Sequence, residues 1–297
     1  MKGQGQGSSP LIGLRIWLSR SPWRLGAAWA TIAGALASGG LTWQGSDWLH
    51  LALLVFLTDP VWGGVWSVWV ERQRDIGEEV HDTVAKPPVP YLRPGSPAAC
   101  LLGWMGADQT LAAAWRLGFP ALLTAMLISL ILGWQALFAT GVALALCFVG
   151  WIARRVYGLP SLWAQALLTI GLPWMLGHMM YAPLRPLTGG LALAFVLWQR
   201  AALGIQSGER YAWWLLGVAQ VGAAATLVIA RHPMGVAGLA LMAVPVWWTR
   251  VVQEVEPSIA LTRSQVWWWL ALLLSGWALG SSFVGGASVA TAFSEYG

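Results

Sequence analysis

The sequence predicts an all-α integral membrane protein, a bundle of about nine transmembrane helices with its N-terminus cytoplasmic and its C-terminus on the opposite side. Three observations lead there. The 297 residues are 57% hydrophobic and only 10% charged, far from the balance of a soluble domain. Nine apolar stretches approach the length that a helix needs to cross hydrocarbon. The basic residues then fall almost wholly on one side of those stretches.

In order, the stretches run from Arg24 to Trp43, Trp48 to Trp69, Leu111 to Trp134, Ala136 to Ala153, Leu162 to Met180, Leu187 to Ala202, Trp213 to Ala230, Met234 to Trp248 and Val266 to Val284. The sixth and eighth are short. A helix is the natural spanning element because every backbone N–H and C=O in hydrocarbon must be satisfied internally. With the N-terminus inside, the cytoplasmic ends and loops collect Lys2, Arg15, Arg20, Arg24, Arg72, Arg74, Lys86, Arg93, Arg116, Arg154, Arg155, Arg200, Arg210, Arg250 and Arg263. Of the 17 Lys and Arg, only Arg185 and Arg231 then fall outside. Adding or dropping a span would scramble the later loops, so this asymmetry supports the count as well as the orientation. The formal charge of +5 therefore reflects topology. It does not indicate a nucleic-acid partner, since no basic face with interleaved aromatics lies outside the membrane boundaries.

Many of the 23 Trp sit at the ends of these stretches, among them Trp43, Trp48, Trp69, Trp134, Trp151, Trp198, Trp213, Trp214, Trp247, Trp248 and Trp267 to Trp269. They read as interfacial belts. Trp29, Trp66 and Trp174 lie deeper, either as helix packing or as an aromatic wall for a lipid or pigment ring. Residues 1–22 read as a mobile N-terminal tail rather than a signal peptide, with a short interfacial helix at Leu11 to Leu18. Residues 23–288 form a single membrane domain and 289–297 a C-terminal tail. Ala30, Gly34 and Ser38 place a smooth stripe on the first span, suited to a close helix contact. Cys100 and Cys147 fit neither a disulfide nor a metal motif. One long connection, 71–109, lies on the cytoplasmic side and combines acids with a proline-rich run, Lys86-Pro-Pro-Val-Pro-Tyr-Leu-Arg-Pro-Gly95. Function concentrates in such loops.

That loop opens with Arg74-Asp75-Ile76-Gly77-Glu78-Glu79-Val80-His81-Asp82. Asp75, Glu78 and Asp82 recur at helical spacing and would share one face. Three carboxylates at a membrane surface are hard oxygen ligands suited to Mg²⁺, which bridges to a diphosphate and neutralises a leaving group. The same residues equally describe a solvated helix end paired with Arg72 and Arg74. Asp59-Pro60 lies near the middle of the second stretch, where a charge is costly and Pro60 cannot donate to the Phe56 carbonyl, so something polar should face it. It lines a cavity or is a hydrogen-bonded structural Asp. His50, His178 and His232 fall at the outer ends of spans, where a lone His is usually structural. Beside Met179 on an apolar span, His178 is the candidate axial ligand of a magnesium tetrapyrrole.

The acidic segment resembles the first motif of the UbiA superfamily of membrane prenyltransferases, Asn-Asp-x-x-Asp-x-x-x-Asp. Asp75, Glu78 and Asp82 stand at its acidic positions and Arg74 stands where Asn is expected. Arg93-Pro94-Gly95, the opening Trp23-Arg24-Leu25-Gly26-Ala27-Ala28-Trp29 and the linker Glu254-Val-Glu-Pro257 are similar to the corresponding parts of that family. Ala201-Ala202-Leu203-Gly204-Ile205-Gln206-Ser207 is similar to the Arg-Ala-Leu-Gly-Leu-Gln-Ser run of the chlorophyll and bacteriochlorophyll synthase branch. In that branch a second acidic pair precedes the run, whereas Leu193 and Arg200 occupy the corresponding positions here. The resemblance thus implies half of a diphosphate site at best. It implies Mg²⁺ at Asp75, Glu78 and Asp82, with Arg93, Arg200, Gln206 and Asp59 toward the substrate. At Arg200 a guanidinium repels a metal, although it can hold phosphate.

Together these readings describe a UbiA-like bundle in a bacterial cytoplasmic (inner) or photosynthetic membrane. Its cavity binds an isoprenoid lipid, a quinone or a (bacterio)chlorophyll-type pigment. Its expected role is that of a divergent, non-catalytic subunit or assembly factor of a membrane complex, with membrane lipid and other subunits as partners. The alternative is an active Mg²⁺-dependent prenyltransferase joining a prenyl diphosphate to an aromatic or tetrapyrrole acceptor. A secondary transporter ranks third, because Asp59-Pro60 finds no matched broken helix elsewhere.

Overall fold

Each apolar stretch becomes a helix. The computed structural model describes residues 26–42, 44–67, 70, 108–251 and 257–294, and among the described residues no strand occurs. In chain order the helices are α1 (Gly26–Ser38), α2 (Gly45–Trp66), α3 (Asp108–Leu132), α4 (Trp134–Tyr157) and α5, which joins Leu162–Ala166, Leu167–Gly171 and Leu172–Met179. They continue with α6 (Pro186–Gln206), α7 (Ala212–Ile229), α8 (Pro233–Val251) and α9 (Pro257–Ser294). By length and composition, five are long and apolar enough to cross a membrane: α2, α4 from Trp134 to Arg154, α6, α7 and the Ser264–Phe283 part of α9. Large apolar side chains face outward on them, including Val221 at 70% exposure and Phe138 at 66%. That exterior suits lipid rather than water. The acidic candidates Asp75, Glu78 and Asp82, the candidate Arg93, the N-terminal tail and most of the loop lie outside the described residues.

Several boundaries differ from the sequence expectation. The short sixth and eighth stretches are parts of longer helices of 21 and 19 residues, since α6 runs on past Ala202 through Gln206 and α8 past Trp248 to Val251. The last helix runs on to Ser294, through most of the expected tail. No proline interrupts its Gly-, Ala- and Ser-rich end.

The Ala-rich helix α1 is buried on nearly every side. It contributes Ala30, Ala33 and Ala37 to an apolar core shared with α5, α6, α7 and α9, and Ala27 to a second core built with α2, α3, α4 and α5. The smooth stripe does what its spacing suggests. A Cβ at Gly34 would strike the Trp174 carbonyl oxygen of α5, and one at Gly280 of α9 would strike that of Leu36. Small residues are what allow backbones to approach this closely.

Two of these helices widen into π-helix at mid-length, Leu57–Val61 in α2 and Leu167–Gly171 in α5. Each has a proline beside the fault: Pro60 supplies no donor to the Phe56 carbonyl, and Pro173 none to that of Thr169. At the first fault the polar group that meets α2 is Thr31 of α1, whose hydroxyl lies 2.7 Å from that of Thr58. The second fault has no counterpart in the sequence reading, which found a broken level only at Asp59-Pro60.

Gly34→Ala should lower the thermal midpoint of the detergent-purified protein, by an overpacking cost on the order of 2 kcal/mol. Gly217→Ala, at a helical site with nothing within 4 Å, should be neutral or slightly stabilising. Equal midpoints for the two variants would remove the α1–α5 contact as a determinant of the fold.

Candidate functional site

A run of helix faces meets at one end of the bundle, where α1, α5 and α9 begin and α6 and α8 end. On α5, Gln165 and Thr169 are four residues apart. On α6, Trp198 and Gln199 are followed by Ala202, Leu203 and Gln206, and on α9, Ser264 and Gln265 by Trp268 and Trp269. Side chains three or four apart lie on one helix face, and these faces enclose a cavity of about 220 Å³, closed further by Gly26 and Val246. Thr169 belongs to the π-helical fault of α5 and its hydroxyl donates to the Gln165 carbonyl at 2.7 Å. The four glutamines, Thr169 and Ser264 present amides and hydroxyls, so the lining drawn from the described residues is polar but uncharged. Trp198 ends a stacked aromatic row, Trp174–Phe195–Trp198, with centroids 5.8 Å apart at each step. Trp268 Nε1 is buried and meets no acceptor.

Next to this cavity sits a charged pair closed upon itself. Arg200, near the end of α6, is buried. Its Nη1 donates to Glu209 Oε2 at 2.8 Å and its Nη2 to Glu209 Oε1 at 3.1 Å, while Nη2 also reaches the Tyr211 hydroxyl at 2.6 Å. Such fork-on-fork geometry is the strong form of an ion pair. The Trp163 ring of α5 lies 5.6 Å from the guanidinium carbon, within cation–π range. Gly204 makes the space: a Cβ there would come to 2.6 Å from Glu209 Oε2 and 2.7 Å from Arg200 Nη1. With a side chain at the glycine of the Leu203-Gly204-Ile205-Gln206 run, the pair would have to shift away and the Ala212 methyl, 2.9 Å from that Cβ, would be crowded. Arg200 Nε, buried and without a partner, is the donor that the pair leaves over. Hydrogen bonds from Arg200 hold the Glu209 carboxyl below its ordinary value.

The chain is similar to the bacteriochlorophyll synthase 34 kDa chain of Chloroflexus aurantiacus. The two are 32% identical over 187 residues, which cover 60% of this chain and 52% of that one. The chain therefore spans about half the length of the curated relative it matches. No family model matches, and no solved structure does. The likeness supports a UbiA-like prenyltransferase relationship, in keeping with the resemblance carried by Ala201 to Ser207.

Of the residues singled out in the sequence, Gln206 lines the cavity and Arg200 stands beside it. Asp59 belongs to the α2 fault and is not part of the cavity lining. His178 is fully buried, and its Nε2 lies 3.1 Å from the Pro183 carbonyl. A carbonyl only accepts, so Nε2 carries the proton there. Gly177 beside it packs against the Thr31 backbone of α1. Trp66 and Trp174 are likewise buried as packing residues. The sequence reading missed Glu209, Gln165, Gln199, Gln265 and the cavity role of Trp198, Trp268 and Trp269. The available signal was Ser264 and Gln265 four residues before Trp268 and Trp269 in α9, and Gln165 four residues before Thr169 in α5.

Because the folded-state pKa of Glu209 is depressed, its stabilisation is present above the unfolded value and is lost as pH falls through the folded one. The thermal midpoint should drop on acidification below about pH 4. Glu209→Gln should cost about 2 kcal/mol at neutral pH, between exposed and fully buried pairs, and should flatten that acid limb. A variant that keeps both the midpoint and its acid dependence would show the pair to be idle.

Proposed function

We propose that the chain is a divergent member of the UbiA superfamily, with nine spans, a cytoplasmic N-terminus and an outer C-terminus. It holds a neutral isoprenoid lipid, quinone or chlorin-type pigment at the amide-lined cavity. Its role is that of a non-catalytic subunit or assembly factor in a bacterial inner or photosynthetic membrane. The observation that carries this reading is the Arg200–Glu209 fork. Where the family resemblance expects a carboxylate of the second acidic pair, a guanidinium stands instead, and its paired edge is already taken by Glu209. Among the described residues, the carboxylate at that pole is already engaged by a guanidinium, and both terminal nitrogens of that guanidinium are engaged by Glu209 and Tyr211 rather than held open for a diphosphate. The adjoining lining of Gln165, Gln199, Gln206 and Gln265 suits oxygen and N–H groups that carry no charge. At about 220 Å³ the cavity lies below the roughly 300–1,000 Å³ of pockets that enclose a drug-sized ligand. It accommodates one ring or the edge of a larger one, with the hydrocarbon tail outside.

The similarity to a bacteriochlorophyll synthase favours a second reading. In it the chain joins a prenyl diphosphate to a tetrapyrrole or aromatic acceptor. Asp75, Glu78 and Asp82 hold Mg²⁺, and Arg93 assists the departing diphosphate. Absorption spectroscopy and mass spectrometry of the detergent-purified chain, followed by incubation with geranylgeranyl diphosphate and Mg²⁺, separate the two. A co-purifying neutral ring lipid or pigment without diphosphate release is the expected result. Mg²⁺-dependent turnover that disappears in Asp75→Ala would establish the enzyme instead.

A further inference from the structure

Arg185 and Arg231, the two basic residues that break the one-sided charge pattern, are brought together by the fold. Arg185 stands just before α6 and Arg231 in the turn after α7, and these helices pack antiparallel. A Cβ on Gly190 of α6 would meet Thr226 of α7 at 3.7 Å, and one on Gly222 of α7 would meet Ala194 of α6 at 3.7 Å. Four residues back on α6 are thus matched by four forward on α7, and the same register sets Arg185 level with Arg231. Axes of packed helices lie about 8–10 Å apart, a gap that two arginine side chains close onto one phosphate. Both arginines are exposed, and among the described residues neither pairs with a carboxylate. Of the carboxylates described, Asp47 lies at this end of the bundle, and it accepts the Thr42 N–H and hydroxyl at 2.9 and 2.6 Å.

Arg231 is held in place against its backbone preference. Its φ is 57°, the left-handed region that favours glycine. The turn is an ordinary helix stop: the Arg231 N–H donates to the Val228 carbonyl at 2.9 Å and the His232 N–H to that of Leu227 at 3.0 Å, which makes residue 231 the position where glycine usually stands. An arginine in a glycine conformation, at the end of the bundle where basic residues are scarce, points to a use for its side chain. His232 anchors the turn, because its Nδ1 accepts the Gly235 N–H at 3.1 Å and its Nε2 lies 3.1 Å from Ser281 Oγ of α9. Two residues further along α9, the Phe283 ring centroid lies 3.9 Å from the Arg185 guanidinium carbon. One stretch of α9 therefore steadies both cations.

Below the pair, an apolar groove of about 580 Å³ runs between α7 and α8, with Ala224, Val236, Ala240, Val244 and Trp248 in its walls. It begins within two helical turns of Arg231. From Val236 to Trp248 it extends roughly 18 Å along α8, at 1.5 Å per residue. One leaflet of a hydrocarbon core about 30 Å thick is roughly 15 Å deep. A pair of cations above an apolar channel one leaflet long fits a single amphiphile, with its phosphate at the arginines and a chain in the groove. Charge then selects the class. A zwitterionic headgroup would bring a cation of its own against two guanidiniums, whereas an anionic one brings only the charge they attract.

We propose that Arg231 and Arg185 bind the phosphate of an anionic phospholipid, one of whose acyl chains lies in the groove between α7 and α8. In the orientation proposed above, the lipid belongs to the outer leaflet. The site lies at the opposite end of the bundle from the polar cavity and does not depend on the function assigned to that cavity.

Phosphatidylglycerol would be titrated into the full chain in mild detergent and the bound lipid counted by native mass spectrometry, with phosphatidylcholine in parallel. The expected result is one saturable phosphatidylglycerol, held about tenfold more tightly than phosphatidylcholine. Arg231→Gly, which suits the left-handed turn, should keep or raise the thermal midpoint. It should nevertheless weaken phosphatidylglycerol about tenfold, the scale of one charge-assisted hydrogen bond, and Arg185→Gln should do the same. Ala240→Phe, at an exposed position in the groove wall, should weaken it by crowding the chain. Arg210→Gln, at the other end of the bundle, should leave it unchanged, and millimolar glycerol 3-phosphate, a headgroup without chains, should not displace the lipid. Equal binding of the two lipids, unchanged affinity in Arg231→Gly or Ala240→Phe, an equal loss in Arg210→Gln, or displacement by glycerol 3-phosphate would overturn the proposal.

Discussion

The contact on which the bundle depends is the approach of α1 to α5 and α9 at distances that permit no side chain. Gly34 of α1 and Gly280 of α9 sit directly on neighbouring carbonyls, and α1 carries alanine at six of its 13 positions. In a membrane, helices gain little by hiding apolar side chains from equally apolar lipid, so close backbone packing supplies much of the attraction. Because α1 belongs to both apolar cores, it fixes where α5 and α9 stand. Those helices in turn carry Gln165, Thr169, Gln265 and Trp268 to the cavity. The cavity is therefore a consequence of the packing of a helix that, among the described residues, contributes only Gly26 to its lining.

Electrostatics then selects what the cavity can hold. A buried guanidinium is tolerated only when paired, and Glu209 returns from the turn after α6 to pair with Arg200. The space for both is reserved by Gly204, one turn beyond Arg200. The guanidinium is thereby part of the scaffold, bridging α6, the start of α7 and, through Trp163, α5. Uncharged amides are left facing the space beside it.

Helix positions were legible because lipid imposes one rule on every spanning segment, and the apolar runs and basic loop ends record it. Gln206 was legible from its place in the Ala201–Ser207 run, and Arg200 from the position just before it, where the resemblance expects a carboxylate. Glu209 was not, because a carboxylate in the turn Ser207-Gly208-Glu209-Arg210 has the signature of a solvated loop, and only the fold brings it under Arg200. Trp198, Trp268 and Trp269 were taken for interfacial belts. A helix end lining an internal polar cavity and one facing the membrane surface make the same demand, an aromatic body with a polar edge. The π-helical fault in α5 was hidden because Pro173 sits two residues past it, where proline reads as an ordinary local irregularity. His178 stands out in the sequence by its place beside Met179 on an apolar span, whereas its burial beside α1 depends on how the helices pack.

The most direct measurement is a high-resolution cryo-electron-microscopy map of the full chain in nanodiscs, prepared with Mg²⁺ and a prenyl diphosphate present. The expected map keeps Arg200 forked onto Glu209 and shows ring-shaped density between Trp198 and Trp268, bounded by the glutamine side chains. Metal-bound diphosphate density in the cavity, with Arg200 drawn away from Glu209 onto phosphate oxygens, would contradict it.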